Sequence, residues 1–397
     1  MDLSRDWPRE HLHHWLRVLG LGGGSLVEMP DGRVGVSLRK LGVSTPEFVV
    51  VNQGGVKEDR NTGGSVTFPY PLPLHSFDSL QTFCYAPRRF RACCDQLKLT
   101  PMDIKDYLEQ KRVEVDRFLD SVSPPSTTAP TTLHESMRYS LMAGGKRVRP
   151  ILAIAAADAV GQPAPGLMPI ACSLELLHTY SLIHDDLPAM DNDDFRRGKP
   201  TNHKVYGDAM AILAGDALLT MAFDLISRPD LMKGCDPARQ VRLIQELAHG
   251  SGNVGMVGGQ VFDIQAENKD IDLPTLQNIH KHKTGMLIRA AVRMGAIAAG
   301  AQDRQLDDLT SYAEDVGLAF QIADDVLNVT GTREELGKNP NTDAERGKKT
   351  YPTFYGAEGA QTLADDCVAR AIARLSPFGP AADPLRELAR YITSRRN

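Results

Sequence analysis

Five carboxylates crowd into ten residues where an apolar run ends: Asp185, Asp186, Asp191, Asp193 and Asp194. So dense a cluster repels itself at neutral pH by several kcal/mol unless cations sit within it. Hard divalent cations take carboxylate oxygens, and Mg²⁺ keeps waters and adds phosphate oxygens. Pro188 interrupts the cluster, so Asp191 need not follow ideal helical spacing. A second Asp pair, Asp324 and Asp325, closes the apolar run Phe320–Ala323, 139 residues after the first. Asn328 lies four residues beyond Asp324 and shares its helix face. Gln321, one turn before Asp324, adds a polar tip there. One acidic cluster alone reads as a solvated loop. Two Asp pairs on apolar helices read as opposing walls of one multi-metal site.

An anionic substrate at such a site needs basic partners. Gly144 and Gly145 precede Lys146, Arg147 and Arg149. Arginine forks phosphate oxygens and lysine acts as a point charge. This is not a P-loop, because the GxxxxGK[ST] spacing is missing. Arg196 and Arg197 follow the first acidic cluster, Lys283 and Thr284 sit in a His/Lys run, and Lys338 follows the second Asp pair. Each alone suits a solvated surface. Together they suggest layers of carboxylate, Mg²⁺, diphosphate and cation enclosed by apolar helices.

The elements that must position these groups are helical. From residue 102 onward apolar residues recur at helical spacing, as in Ala209–Ile226, Val241–Ala248 and Leu287–Ala299, and alternating β-branched runs are nearly absent. The pattern predicts an all-α domain of about ten helices, with a loop-rich stretch after Asp325. The 397-residue chain is 42% hydrophobic and 24% charged, an ordinary globular composition. Its net charge of -5 argues against general nucleic-acid binding. No run of eighteen apolar residues occurs, so no membrane span is expected. Six cysteines without metal-ligand spacing suit a reducing, cytoplasmic location, and the mixed-charge N-terminus lacks signal-peptide features.

Residues 1–101 differ from the rest. They hold Gly22–Gly24 and the Pro-rich Pro69–Pro73, show no sustained periodicity, and carry a net charge of +2 against -7 for residues 102–397. His11, His13 and His14 are close together, but no second ligand group follows at matching spacing. The expectation is a poorly structured N-terminal extension that is not part of the functional enzyme, with Met102 as the true start.

Residues 102–397 resemble the trans-isoprenyl diphosphate synthases, most nearly the bacterial farnesyl diphosphate synthases and their geranylgeranyl relatives. The resemblance rests on GGKRVRP (144–150), LHTYSLIHDDLPAMDNDDFRRGKPTNHK (177–204), HKTG (282–285), GLAFQIADD (317–325), LGK (336–338) and KTYP (349–352), in family order. It implies an isoprenoid synthase-type helical bundle around a deep central cavity, as a homodimer. It implies isopentenyl diphosphate and an allylic diphosphate as substrates, joined head-to-tail. Three Mg²⁺ ions would be held by Asp185, Asp186 and Asp191 of the first motif and Asp324 of the second, with Asp325 beside it. Lys146, Arg149, His178 and Arg197 match positions for isopentenyl diphosphate. Arg196, Lys283, Thr284, Gln321 and Lys338 match those around the allylic diphosphate, and Lys348 matches a closing C-terminal loop. Tyr180, five residues before Asp185, matches the cavity floor, where an aromatic goes with a fifteen-carbon product, farnesyl diphosphate, and a small residue or Met with the twenty-carbon one. One departure is Asn328, where the family usually has the last Asp of DDxxD. A terpene cyclase would end its second motif in Glu, but Thr332 stands there. A non-catalytic subunit would have lost Asp motifs or basic residues that this chain keeps.

Overall fold

The computed structural model describes residues 102–331 and 348–394, with the backbone of four short strands nearer the N-terminus. The chain divides into two units, residues 1–98 and 99–397. In the first, β1 (Ser25–Glu28), β2 (Val34–Ser37), β3 (Phe48–Gln53) and β4 (Val66–Phe68) pair in sequence order. The first two pairings are antiparallel and the third is parallel. These four strands aside, the expectations for residues 1–101, including the histidine cluster and the start at Met102, lie outside the described residues.

In the second unit, the central helix is α4 (Leu167–Asp185), apolar on all sides and almost wholly buried, as an interior helix must be. Its neighbours are α3 (Val148–Val160) and α6 (Asp208–Ser227). Before these come α1 (Ile104–Val122), whose N-cap Asp103 accepts from the Lys105 amide at 2.8 Å, and α2 (Thr131–Leu141). After α4 a hairpin of β5 (Phe195–Arg196) and β6 (Lys199–Pro200) leads into the short α5 (Asn202–Tyr206). Next come α7 (Pro237–Ser251), α8 (Met256–Ala266) and α9 (Leu273–His280), then a single π turn at Lys281–Gly285. The buried α10 (Met286–Ala298) packs on α3 so closely that a Cβ at Gly295 would lie 1.9 Å from the Ala153 carbonyl oxygen. Helices α11 (Asp303–Thr330) and α12 (Tyr351–Arg374) pack together, and Tyr312 Oη donates to the Leu385 carbonyl at 2.7 Å to seat α13 (Asp383–Ser394).

The all-α expectation holds for the second unit, and two details differ. Helix α11 runs on past Asp325 to Thr330 because Val326 and Asn328 are buried and prolong its inner face. Helix α6 is long and apolar enough, by length and composition, to cross a membrane. Its inner face, including Ala211, Ala214, Leu218 and Leu225, is core, while Ile212 and Leu213 are exposed.

Candidate active site

The first Asp motif begins where α4 stops. Asp185 is its last residue, and a tight turn brings Asp191 back so that its amide donates to the Asp185 carbonyl at 2.8 Å. Pro188 thus takes the chain out of the helix, as expected. Asp185 and Asp186 are buried. Burial pushes the Asp185 carboxyl above the usual range, against the pull of Lys283 and a 2.5 Å hydrogen bond from Gln260 Nε2 to Oδ1. Burial also raises Asp186, although Arg196 grips both its oxygens, with Nε at 2.8 and 2.9 Å and Nη2 at 2.6 Å.

Arg196 reaches back because of the hairpin. Arg197 and Gly198, the two residues between β5 and β6, both have positive φ (53° and 74°), which favours the tight twisted turn. Tyr139 Oη donates to the Pro200 carbonyl at 2.8 Å and pins the hairpin to α2. The Arg197 guanidinium donates to the Gly144 carbonyl. Gly145 has φ 137°, a backbone conformation that L side chains rarely adopt.

Lys283 lies on the π turn. Its approach depends on Gly259 of α8, where a Cβ would come within 2.1 Å of the Lys283 amide nitrogen. Asp263, one turn beyond Gln260, accepts from Lys283 Nζ at 2.7 Å and from Lys348 Nζ at 3.1 Å. Burial alone would raise Asp263, but the two ammonium groups hold it below the usual range. Burial works against the Lys283 charge, yet Asp263, then Asp185 and Asp191, raise its pKa. One ammonium thus faces the first motif, and α8 supplies the polar side chains that keep it there. Thr284 follows on the same turn, half-buried.

The second motif divides its work. Asp324 is exposed on α11, and its charge acts on Arg149. Asp325 is buried and accepts from the Tyr351 amide at 2.9 Å, anchoring the segment that carries Lys348. Asn328 is buried on the Asp324 face, and Gln321 is half-buried one turn earlier. Lys338 lies outside the described residues.

Of the basic loop, Arg147 departs from the sequence reading. Rather than facing outward it is buried, and the anion it meets is the protein's own Glu175, to which Nη1 donates at 2.6 Å. Arg149 Nε is buried without a hydrogen-bond partner. Burial, then the charges of Arg149 and Arg197, push His178 well below its usual value, so its imidazole is neutral at pH 7. Lys146 is exposed at the loop's edge. Tyr180 is buried, with its ring edge-on to His184 at 5.6 Å between centroids. His184 in turn fits only because Gly215 of α6 has no Cβ, which would fall 2.1 Å from Nε2.

Among the described residues no three His, Cys, Asp or Glu side chains converge into a ready metal cage. Arg196 binds Asp186, Gln260 donates to one oxygen of Asp185, and Lys283 supplies positive charge beside Asp185 and Asp191. The donors still fit Mg²⁺, since all are hard oxygens and two are buried carboxylates whose charge burial disfavours. Gln260, Asp263 and Glu175 were not picked out from the sequence. The available signals were Gln and Asp at i,i+3 after a Gly pair, and a lone acid in the otherwise apolar Leu167–Ile183.

A helical bundle in which buried carboxylates lie beside arginines, a lysine and a neutral histidine has the charges to hold a polyanion together with cations. The chain belongs to the polyprenyl synthetase family, whose profile matches residues 130–375. It is 50% identical over 296 residues to the dimethylallyltranstransferase of Fischerella ambigua, covering 74% of this chain and 84% of that relative. It is 45% identical over 299 residues to the geranylgeranyl diphosphate synthase of Cyanophora paradoxa, covering 75% and 98%. The crystal structure of an FPP/GFPP synthase from Zymomonas mobilis superimposes with a TM-score of 0.65 at 40% identity, covering 73% of this chain and 99% of that one. The chain is a short-chain trans-prenyltransferase.

Proposed function

We propose that this enzyme condenses isopentenyl diphosphate with dimethylallyl or geranyl diphosphate, head-to-tail, and releases (2E,6E)-farnesyl diphosphate as its main product. The observation that carries the product length is Tyr180. It is a buried aromatic on α4, five residues and about 7.5 Å of helix axis from Asp185, with its ring edge-on to His184. A second reading, a twenty-carbon product, is favoured by the geranylgeranyl diphosphate synthase among the relatives. Mass analysis of the dephosphorylated product separates the two.

The roles follow from charge and placement. Lys146, Arg149, His178 and Arg197 take the diphosphate of isopentenyl diphosphate, the neutral histidine by hydrogen bonding. Arg196, Lys283, Thr284, Gln321 and Lys338 serve the allylic diphosphate, and Lys348 adds a further positive charge from the closing C-terminal loop. Asp185, Asp186, Asp191 and Asp324 would hold Mg²⁺, three ions per site, which when bound neutralises the departing diphosphate. Lys283 adds charge on the leaving oxygens as the allylic C–O bond ionises. Apolar walls from α3, α4 and α10 exclude water from the carbocation. The π-bond of isopentenyl diphosphate attacks, and the released diphosphate accepts the proton lost next. No covalent nucleophile is required; orientation carries the rate.

A homodimer is part of this reading. It is supported by exposed apolar side chains on adjoining helices: Ile212 and Leu213 on α6, Val241 on α7, and Val257, Val261 and Ile264 on α8. Sedimentation at several concentrations tests it.

A further inference from the structure

Arg147 sits in the middle of the basic loop, yet its side chain is buried. It adopts a left-handed backbone (φ 50°) at the N-cap of α3, and its guanidinium turns inward. There it makes three bonds: Nη1 to Glu175 at 2.6 Å, Nε to Asp116 at 2.8 Å and Nη2 to the Leu141 carbonyl at 2.7 Å. Glu175 is 1% exposed on α4, one turn before His178. Its charge also acts on Arg149 and Arg197. A single buried carboxylate thus pairs with Arg147 and adds its charge to the field at two further arginines, and the left-handed residue between Lys146 and Arg149 is tied to it.

We infer that Arg147 and Glu175 are positioning residues that fix the basic loop so that Lys146 and Arg149 meet the diphosphate of isopentenyl diphosphate. The inference rests on the assignment of that loop to isopentenyl diphosphate. It gains force from a conflict of signs. If Glu175 acted only through charge, neutralising it would make the pocket more cationic and strengthen diphosphate binding. If it positions the loop, neutralising it weakens binding instead. Lysine cannot replace Arg147, because one ammonium cannot span Glu175, Asp116 and the Leu141 carbonyl in the planar fork.

The test is steady-state kinetics with each substrate varied and the other saturating, on Glu175→Gln, Arg147→Lys and, as reference, Arg149→Gln. KM does not depend on the fraction of enzyme that is active, so partial misfolding lowers Vmax but does not imitate the effect. We expect both Glu175→Gln and Arg147→Lys to raise KM for isopentenyl diphosphate on the order of tenfold, the scale of one charge-assisted hydrogen bond. KM for the allylic diphosphate should change less than about threefold. If Glu175→Gln lowers or leaves unchanged the isopentenyl KM while Arg149→Gln raises it, the positioning role is wrong. If Arg149→Gln also leaves that KM unchanged, the loop does not bind isopentenyl diphosphate and the underlying assignment fails. Should Glu175→Gln not fold, Arg147→Lys alone decides, since it keeps the buried charge pair.

Discussion

Replacing Tyr180 by alanine removes the phenol ring and keeps only its first carbon. That opens about 6 Å of depth beneath the site, judged from ordinary bond lengths. One further isoprene unit extends a prenyl chain by roughly 5 Å on the same measure. The opening therefore fits one added unit. We expect Tyr180→Ala to change the main product from fifteen to twenty carbons, with little longer material. The assay is chromatography and mass analysis of the alcohols after phosphatase treatment, read as a ratio of products. Truncating a buried aromatic costs at most ~3–5 kcal/mol, and that loss lowers yield without altering the ratio. Tyr180→Phe is the control: the Tyr180 hydroxyl makes no hydrogen bond among the described residues, so the ring alone should keep the fifteen-carbon product. A Tyr180→Ala enzyme that still stops at fifteen carbons, or a phenylalanine variant that lengthens, would refute the floor.

Asp185→Ala or Asp324→Ala should each lower turnover at least 10³-fold, ~4 kcal/mol of transition-state stabilisation, and chelation should abolish it; near-normal rates measured with saturating Mg²⁺ would contradict the carboxylate assignment. Asp185→Asn should raise Tm in metal-free buffer at pH 7 while removing activity. Burial raises the folded-state pKa of Asp185, so its contribution to stability is present below the unfolded value and lost as pH rises through the folded one. Asparagine keeps the oxygen that accepts from Gln260 and drops the buried charge. Asp263 has the opposite sign, because Lys283 and Lys348 depress it. Its contribution is present above about pH 4, the unfolded value, and fades as pH falls through the lower folded value. Urea unfolding of Asp263→Asn should accordingly show a deficit of about 2 kcal/mol at pH 7 that shrinks near pH 3.

The sequence shows its large features because they are local. Helix α4 is legible as an apolar run and its end as Pro188 and the Asp cluster; the hairpin at Arg197–Gly198, between strands of two residues each, is too short to leave a pattern. What it hides is direction. Arg147 and Arg149 stand two residues apart in one basic motif, yet only the left-handed backbone at Arg147 turns its guanidinium to the interior. Asp324 and Asp325 are adjacent, and helical geometry alone sends one to the surface and the other to the Tyr351 amide. Gln260 and Asp263 carry no mark of their partners, which lie 75 residues before, and 20 and 85 residues after, them in the chain.

Helix α8 has two faces with different duties. Its inner face places Gln260 on Asp185 and Asp263 on two lysines; its outer face shows Val257, Val261 and Ile264 to solvent. A rigid helix cannot tilt on one side alone. Whatever settles on the outer valines therefore also sets the angle at which the inner polar groups meet the carboxylate and the ammonium. Quaternary packing and chemistry would then be thermodynamically linked through a single rod. On the homodimer proposed above, specific activity should fall on dilution, and substrate should in return favour the assembled form.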